Sequence, residues 1–93
     1  MIYILEFDRP LGTDKHEARY YIGYCEDGQL ERRLKQHRAG TGAAITRAAA
    51  ERGIVMTPIF VFAGDRSDER RLKREKNTPR LVRRLRRELY NRL

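Results

Sequence analysis

The stretch Tyr20-Tyr21-Ile22-Gly23-Tyr24, followed by a helical pattern over residues 30–39, decides the architecture of this chain. The stretch is rich in aromatic and β-branched residues, which is typical of a strand. Glu26-Asp27-Gly28 then favours a turn, and leucines four positions apart predict the helix. Arg33 and His37 are also four positions apart, so we expect them to project from one face of that helix.

A second strand pattern lies upstream. Residues 2–7 read Ile-Tyr-Ile-Leu-Glu-Phe, and we predict that they pair with residues 19–25 as an antiparallel hairpin. Because side chains alternate along a strand, this pairing could set Tyr3 and Tyr21 on a shared face. Residues 8–18 have no apolar period and are predicted to form an exposed loop, which is long for a hairpin.

Three further elements follow the first helix. An alanine-rich helix is predicted over residues 43–52, ending at a glycine. The near-continuous apolar run at residues 58–63 predicts a buried central strand. After a turn, Ser67 or Asp68 could cap a helix that runs to about Asn77.

The last helix is predicted over residues 79–93, with Pro79 in its first turn. The predicted fold is therefore α+β, with a three-stranded antiparallel sheet flanked by helices in the order ββααβαα. We expect one domain over residues 1–93, with a basic C-terminal helix. The last helix also has an apolar stripe, which consists of Leu81, Val82, Leu85, Leu89 and Leu93.

The positive charge of the chain is concentrated at one end. The net charge is +8, yet residues 1–65 hold nine basic and nine acidic residues, so the whole excess lies in residues 66–93. This asymmetry indicates a polyanionic partner, either nucleic acid or an anionic membrane surface, although a merely solvated helix is the alternative. Phosphate contacts would supply affinity without sequence readout, to DNA or to RNA. The basic residues predicted to bind nucleic acid are Lys73, Lys76, Arg80, Arg83, Arg84 and Arg87.

Several classes of protein are disfavoured by composition. No apolar run approaches the roughly 20 residues of a membrane-spanning helix, and the N-terminus lacks the pattern of a signal peptide. The single Cys25 has no internal disulfide partner, and two histidines argue against a zinc site of the usual type. We therefore expect a cytoplasmic protein. Of the two polyanions, we expect nucleic acid, and not a membrane, as the partner.

The ordered motifs resemble those of a known enzyme family. Tyr3 in Ile-Tyr-Ile and the triplet Tyr21-Ile22-Gly23 resemble the two halves of the GIY-YIG nuclease motif. Residues 30–37 resemble the helix that supplies an arginine and a histidine in that family. Residues 69–73, Glu-Arg-Arg-Leu-Lys, resemble the later helix that supplies a metal-binding glutamate. The resemblance extends from residue 2 to about residue 81 and is closest to small standalone GIY-YIG proteins.

The resemblance implies a metal-dependent endonuclease that nicks DNA according to its structure or context, as in repair or recombination. Tyr3 would be the general base or its relay, and Tyr21 its partner near the attacking water. Arg33 would steady the scissile phosphate, and His37 would orient the proton network. Glu69 would bind one Mg²⁺ or Mn²⁺ ion that stabilises the leaving oxygen.

The chain departs from the family pattern in several places. Ile2 stands where the first motif has glycine, and the separation between Tyr3 and Tyr21 is longer than usual. One residue, Gly28 or Gln29, is inserted before the first helix. A late asparagine of the family has only weak counterparts here, Asn77 and Asn91.

Alternatives remain at the level of sequence. Tyr3 and Tyr21 could be ordinary half-buried strand residues. Glu75 is a rival for the metal position, but it lies six residues beyond Glu69 and about 240° around a helix, so the two would not serve one site equally. The missing glycine favours a second hypothesis, a non-catalytic nucleic-acid-binding module on the same scaffold. A third hypothesis is a protein-interaction domain that docks through the stripe of the last helix.

Overall fold

The computed structural model describes residues 1–12 and 17–92 and has the predicted α+β architecture. Its element order, ββααβαα, is the predicted one. The strands are β1 (Ile2–Gly12), β2 (Glu17–Tyr24) and β3 (Met56–Phe62), and the helices are α1 (Leu30–Arg38), α2 (Ala44–Glu51), α3 (Arg66–Arg74) and α4 (Thr78–Asn91).

The three strands form one antiparallel sheet in the order β2-β1-β3. Tyr3 pairs with Gly23, and Leu5 pairs with Tyr21, so the predicted hairpin and the shared tyrosine face are confirmed. The prediction that the apolar run forms the central strand is wrong, because β1 is central and β3 lies at an edge. Pro58 gives a physical reason, since a residue without a backbone N–H is tolerated at an edge and interrupts the ladder of a central strand.

The hairpin of β1 and β2 is longer than expected. Pairing shifts register after Glu6 and then resumes, with Leu11 opposite Ala18 and Gly12 opposite Glu17. The prediction of a loop over residues 8–18 is therefore wrong at both ends, while residues 13–16 lie outside the described part of the chain. The charged residues in the described part of this segment are exposed and give no apolar period, although Leu11 and Ala18 of the paired ends pack against the core.

Each face of the sheet is covered by a pair of helices. Tyr3 and Tyr21 belong to the core on one face, against α1 and α2, whereas Ile2 belongs to the core on the other face, against α3 and α4. Gly64 leaves room for the side chain of Ile2, so the residue that replaces the family's glycine is buried without displacing Tyr3. The second core consists of Ile2, Ile4, Ile22, Leu72, Leu81 and Val82.

The ends of α3 differ from the prediction. Asp65, rather than Ser67 or Asp68, is the N-cap, and it forms a reciprocal capping box with Asp68. The helix ends three residues before Asn77, because Lys76 adopts a positive φ of 52° and Asn77 caps the start of α4. This break lets α4 begin in a new direction while α3 keeps Leu72 in the core.

No helix in the described residues is both long enough and apolar enough to cross a membrane.

Candidate functional site

A hydrogen bond between Tyr3 and His37 lies at the centre of the candidate site. The phenol oxygen of Tyr3 is 2.6 Å from Nε2 of His37. Tyr3 comes from the central strand and His37 from the last turn of α1, and both side chains are fully buried. Two of the five residues singled out by sequence are thus in direct contact.

Thr46 of α2 continues this contact on the far side of the imidazole. Its hydroxyl oxygen lies 2.7 Å from Nδ1 of His37 and donates to the carbonyl of Ala43 at 3.0 Å. A hydroxyl has one proton, so the oxygen of Thr46 must accept a hydrogen bond from Nδ1–H. The hydrogen-bond network therefore assigns a neutral His37 protonated on Nδ1, with Nε2 accepting from the phenol of Tyr3.

Two glycines make room for these rings. A Cβ on Gly23 would overlap the ring and hydroxyl of Tyr3, which lies opposite it in the sheet. A Cβ on Gly42 would lie 2.5 Å from Nδ1 of His37. Gly23 is the glycine of the Tyr-Ile-Gly triplet, so this motif has a steric reason in the fold: a larger residue would push the phenol away.

Tyr21 completes a cluster of three rings. Its ring centroid lies 6.4 Å from that of Tyr3 and 5.1 Å from that of His37, with the imidazole edge-on. On its other side, the ammonium of Lys73 lies 4.9 Å from the ring centroid, within the range of a cation–π contact. Burial and the nearby carboxylate of Glu69 raise the pKa of Tyr21, so its phenol keeps its proton.

Arg33 connects the ring cluster to solvent. It lines an open cavity of about 360 Å³ that also contains Glu69 and Arg66. Its Nη1 donates to Gln36 at 2.7 Å, whereas its buried Nε has no hydrogen-bond partner among the described residues. A buried guanidinium nitrogen without a partner is costly. The side chain of Arg33 also lines the cavity, where arginine is suited to donate to a phosphate oxygen.

Glu69 is the best-placed carboxylate for a metal ion. It lines the same cavity, its side chain is 18% exposed, and Lys73 lies 3.9 Å away. Glu26 also lines the cavity, where it accepts a hydrogen bond from Tyr24. The described residues contain no group of three or more His, Cys, Asp or Glu side chains that could enclose an ion. A single carboxylate such as Glu69 could hold only an ion that keeps most of its waters, as Mg²⁺ does in proteins.

Electrostatics hold both buried partners in their neutral forms. Burial, with Arg33 and Lys73 nearby, lowers the pKa of His37 to about 4. Burial and Tyr21 raise the pKa of Tyr3 to about 12, although the positive charge of Arg33 opposes this shift. At neutral pH the phenol is thus a donor and the imidazole an acceptor, as the hydrogen bonds also require.

The remaining predicted residues lie elsewhere. Glu75 lines a separate groove with Asn77, so it does not share the cavity of Glu69. Lys73 belongs to the ring cluster, and Lys76 is exposed in the turn after α3. The four arginines of the prediction line the groove of Glu75 together: Arg80, Arg83, Arg84 and Arg87.

Sequence reasoning missed Thr46 and Gly42. A threonine within an alanine-rich helix was the only available signal, and it is a weak one, because a helical threonine can also bond a backbone carbonyl of the preceding turn, as Thr46 does with Ala43. Gly42 was interpreted only as part of a helix stop, whereas it also provides space for the imidazole.

Comparison with known proteins places the chain in a family. A family model described as the GIY-YIG catalytic domain matches residues 1–91. A curated relative, a UPF0213 protein of Enterococcus faecalis (strain ATCC 700802 / V583), is 37% identical over 51 residues. That alignment covers 46% of this chain and 58% of the relative, so the chain spans less than two thirds of the curated relative. No solved structure gives a significant match.

Proposed function

This chain belongs to the GIY-YIG family, and from that premise we propose that it is a metal-dependent endonuclease that hydrolyses phosphodiester bonds in DNA. One observation supports this proposal above the others. A directed hydrogen-bond chain, from Tyr3 through His37 to Thr46, lies next to a cavity that presents Arg33 and Glu69. These groups meet the needs of phosphodiester hydrolysis, namely proton removal, charge stabilisation and a place for a cation.

In the proposed reaction, a water oxygen attacks phosphorus and the bond to the leaving oxygen breaks. The proton of the water passes to the oxygen of Tyr3 as the phenol proton passes to Nε2 of His37. Nδ1 of His37 keeps its proton and continues to donate to the hydroxyl oxygen of Thr46, which stabilises the imidazolium that forms. The transfers are coupled, so neither a free phenolate nor a free hydroxide has to exist in the resting site.

Substrate binding helps this transfer. A phosphodiester beside Arg33 brings a negative charge, which offsets the effect of Arg33 and Lys73 on His37 and raises the pKa of the imidazole. The guanidinium also stabilises the charge that develops on the phosphoryl oxygens. Glu69 would hold a Mg²⁺ or Mn²⁺ ion, which when bound supplies positive charge next to the leaving oxygen. The leaving oxygen then takes a proton from solvent.

DNA as the substrate is supported by the distribution of charge. Residues 66–93 contain the whole excess of +8. Within them, Lys73 of α3 contacts the ring of Tyr21 in the candidate site, and Lys76 follows the end of α3. We propose that these lysines contact phosphates that flank the cleaved bond. Such contacts position a polyanion without reading bases, which suits a nicking enzyme that responds to DNA structure or context.

A second candidate function is a nucleic-acid-binding module that keeps the scaffold without hydrolysis. The complete burial of Tyr3 and His37 favours it, because a catalytic base has to meet a water molecule. In that case the Tyr3–His37 pair would serve stability alone.

The deciding experiment is nicking of supercoiled plasmid and of branched duplex DNA with Mg²⁺ or Mn²⁺. Endonuclease activity predicts cleavage by the wild type, loss of cleavage in Glu69→Ala and Tyr3→Phe, and retained cleavage in Glu75→Gln. If the wild type and Glu69→Ala leave the same background on every substrate, the nuclease proposal is wrong. Retained metal-independent binding would then support the binding module.

A further inference from the structure

The second groove of the molecule lies along α4 and has no part in the proposed chemistry. It has a volume of about 710 Å³, and its arginines, Arg80, Arg83, Arg84 and Arg87, follow one another at helical spacing. None of the residues that line it also lines the cavity of Arg33 and Glu69. The two concave surfaces are thus built from separate side chains.

The arginines of the groove do not contribute to the core. Leu81 and Val82 bury the inner face of α4 against the sheet, whereas the four arginines are exposed. Arg86 differs from them, because it turns toward the sheet and pairs with Glu6 at 3.1 Å. One arginine of α4 therefore has an intramolecular partner on the sheet, and four others face the groove.

The positive charge of the groove is poorly compensated. Glu75 is the only carboxylate that lines it among the described residues. Glu88 approaches one of the arginines, Arg84, at 4.0 Å, the outer limit of an ion pair. No ion pair in the described part of the chain involves Arg80, Arg83 or Arg87. Four guanidinium groups along eight residues, about 10 Å of helix, repel one another and favour a bound anion.

We infer that this groove binds the phosphate backbone of a nucleic-acid duplex, as a second site separate from the site of hydrolysis. Arginine forks onto phosphate oxygens with two donors, and about 10 Å of helix spans roughly three nucleotide steps of about 3.4 Å each. No aromatic side chain of the described residues lines the groove, so they offer no platform there for the stacked bases of a single strand.

An anionic membrane is a poorer occupant for the same surface. A helix that lies on a membrane inserts a continuous apolar face, and here Leu81 and Val82 are already buried in the protein core. Two large apolar side chains near the end of α4, Leu89 and Tyr90, are exposed, but they do not line the groove. The groove itself offers charge and one leucine, Leu81, which is only 7% exposed. A rigid row of phosphates matches this surface better than a lipid interface does.

The test measures binding in EDTA, so its outcome does not depend on whether the protein cleaves DNA. Fluorescence anisotropy of a labelled duplex of about 20 base pairs gives the association constant over a range of salt concentrations. The variant Arg83→Gln with Arg87→Gln removes two charges from the groove. The matched control, Arg38→Gln with Arg74→Gln, removes two exposed charges that lie outside the groove and has the same net charge.

The association constant K falls as salt rises, and the groove variant is expected to make this fall less steep. The slope of log K against log salt should become less negative by about 1.8, or about 0.9 per lost contact, and binding should weaken several-fold. The control is expected to keep most of the wild-type slope. Duplex DNA and duplex RNA are compared as separate probes, and groove-dependent binding of either supports the inference.

Three results would overturn it. The first is an equal loss in both double variants, which would mean that only the total charge matters. The second is single-stranded DNA that binds as tightly as the duplex with the same dependence on the groove. The third is tighter, groove-dependent binding to phosphatidylserine vesicles than to duplex. Circular dichroism melts verify that both variants fold, as expected for exposed side chains.

Discussion

The phenol oxygen of Tyr3 lies 2.6 Å from Nε2 of His37, and neither side chain has exposed surface. The strand and the helix that supply these residues are held together by this bond inside an apolar core. A buried polar pair of this kind is stable only while both partners are present, because a buried group that loses its partner bears its full desolvation cost.

Tyr3→Phe removes one oxygen and keeps the ring. We expect the free energy of unfolding to fall by about 1–3 kcal/mol, since Nε2 of His37 loses its donor. We also expect nicking to fall by about 100-fold or more, because the proton path is cut. Urea denaturation and single-turnover nicking measure the two effects. A variant that loses stability but keeps full activity would show that the pair is structural.

Thr46→Val tests the part of the network that sequence reasoning missed. Valine has nearly the shape of threonine, but it leaves Nδ1–H of His37 without an acceptor, so the proton is expected to redistribute between the two ring nitrogens. Long-range ¹H–¹⁵N spectra report that redistribution directly. The nicking activity of Thr46→Val should fall as a result of this redistribution. Thr46→Ser keeps the hydroxyl, so it should keep the wild-type tautomer and most of the activity. Identical spectra for valine and serine variants would refute a positioning role.

The sequence was most informative where one residue forces the position of another. Alternation along the first strand and the Tyr-Ile-Gly triplet placed Tyr3 and Tyr21 on one face, and the sheet register then explains Gly23 by the ring that lies opposite it. Arg33 and His37 both lie in α1, as their spacing predicted. Their surroundings differ, because Arg33 lines an open cavity and His37 is fully buried.

Contacts between distant elements could not be predicted in this way. Thr46 meets His37 only because α2 packs beside α1, which no local pattern encodes. The edge position of β3 did have a local signal, because Pro58 cannot donate to the ladder of a central strand, but the apolar run taken alone does not distinguish an edge from a centre. The capping of α3 by Asp65 was missed because several candidate caps stand side by side in the sequence.

The stability of the fold should depend on acid through His37. The pKa of His37 is lowered from 6.5 to about 4 in the folded protein. Between these two pH values the imidazole is therefore protonated in the unfolded state and neutral in the folded state. The contribution of this group is thus fully present above pH 6.5 and is lost as the pH falls to about 4, a loss of about 3 kcal/mol. Urea unfolding at a series of pH values measures the loss. In His37→Gln the slope between pH 6.5 and 4 should flatten, and an unchanged slope would mean that another group is responsible.

Gly23→Ala tests the steric reason for the triplet. The new methyl group would overlap the ring of Tyr3, so we expect a loss of about 1–3 kcal/mol in unfolding free energy and a loss of nicking as the phenol moves. Gly28→Ala is the control, because its added methyl meets open space while its φ of +81° alone costs about 1–2 kcal/mol. The control should lose stability and retain activity. Equal activity in the two variants would contradict the steric argument.

Glu69→Gln tests which carboxylate holds the divalent ion. The amide keeps the size of the side chain and removes the charge that attracts the ion, so metal-dependent nicking should fall by about 100-fold, and removal of metal with EDTA should have the same effect on the wild type. Glu75→Gln lies in the other groove and should leave nicking unchanged.

A second readout of the same ion is independent of cleavage. Mn²⁺ should broaden NMR signals of the residues around the cavity, such as Arg33 and Glu26, in the wild type and not in Glu69→Gln. Broadening centred instead on Asn77, in the groove of Glu75, would assign the ion to the other carboxylate, because the two acids point into separate concave surfaces and cannot share one ion.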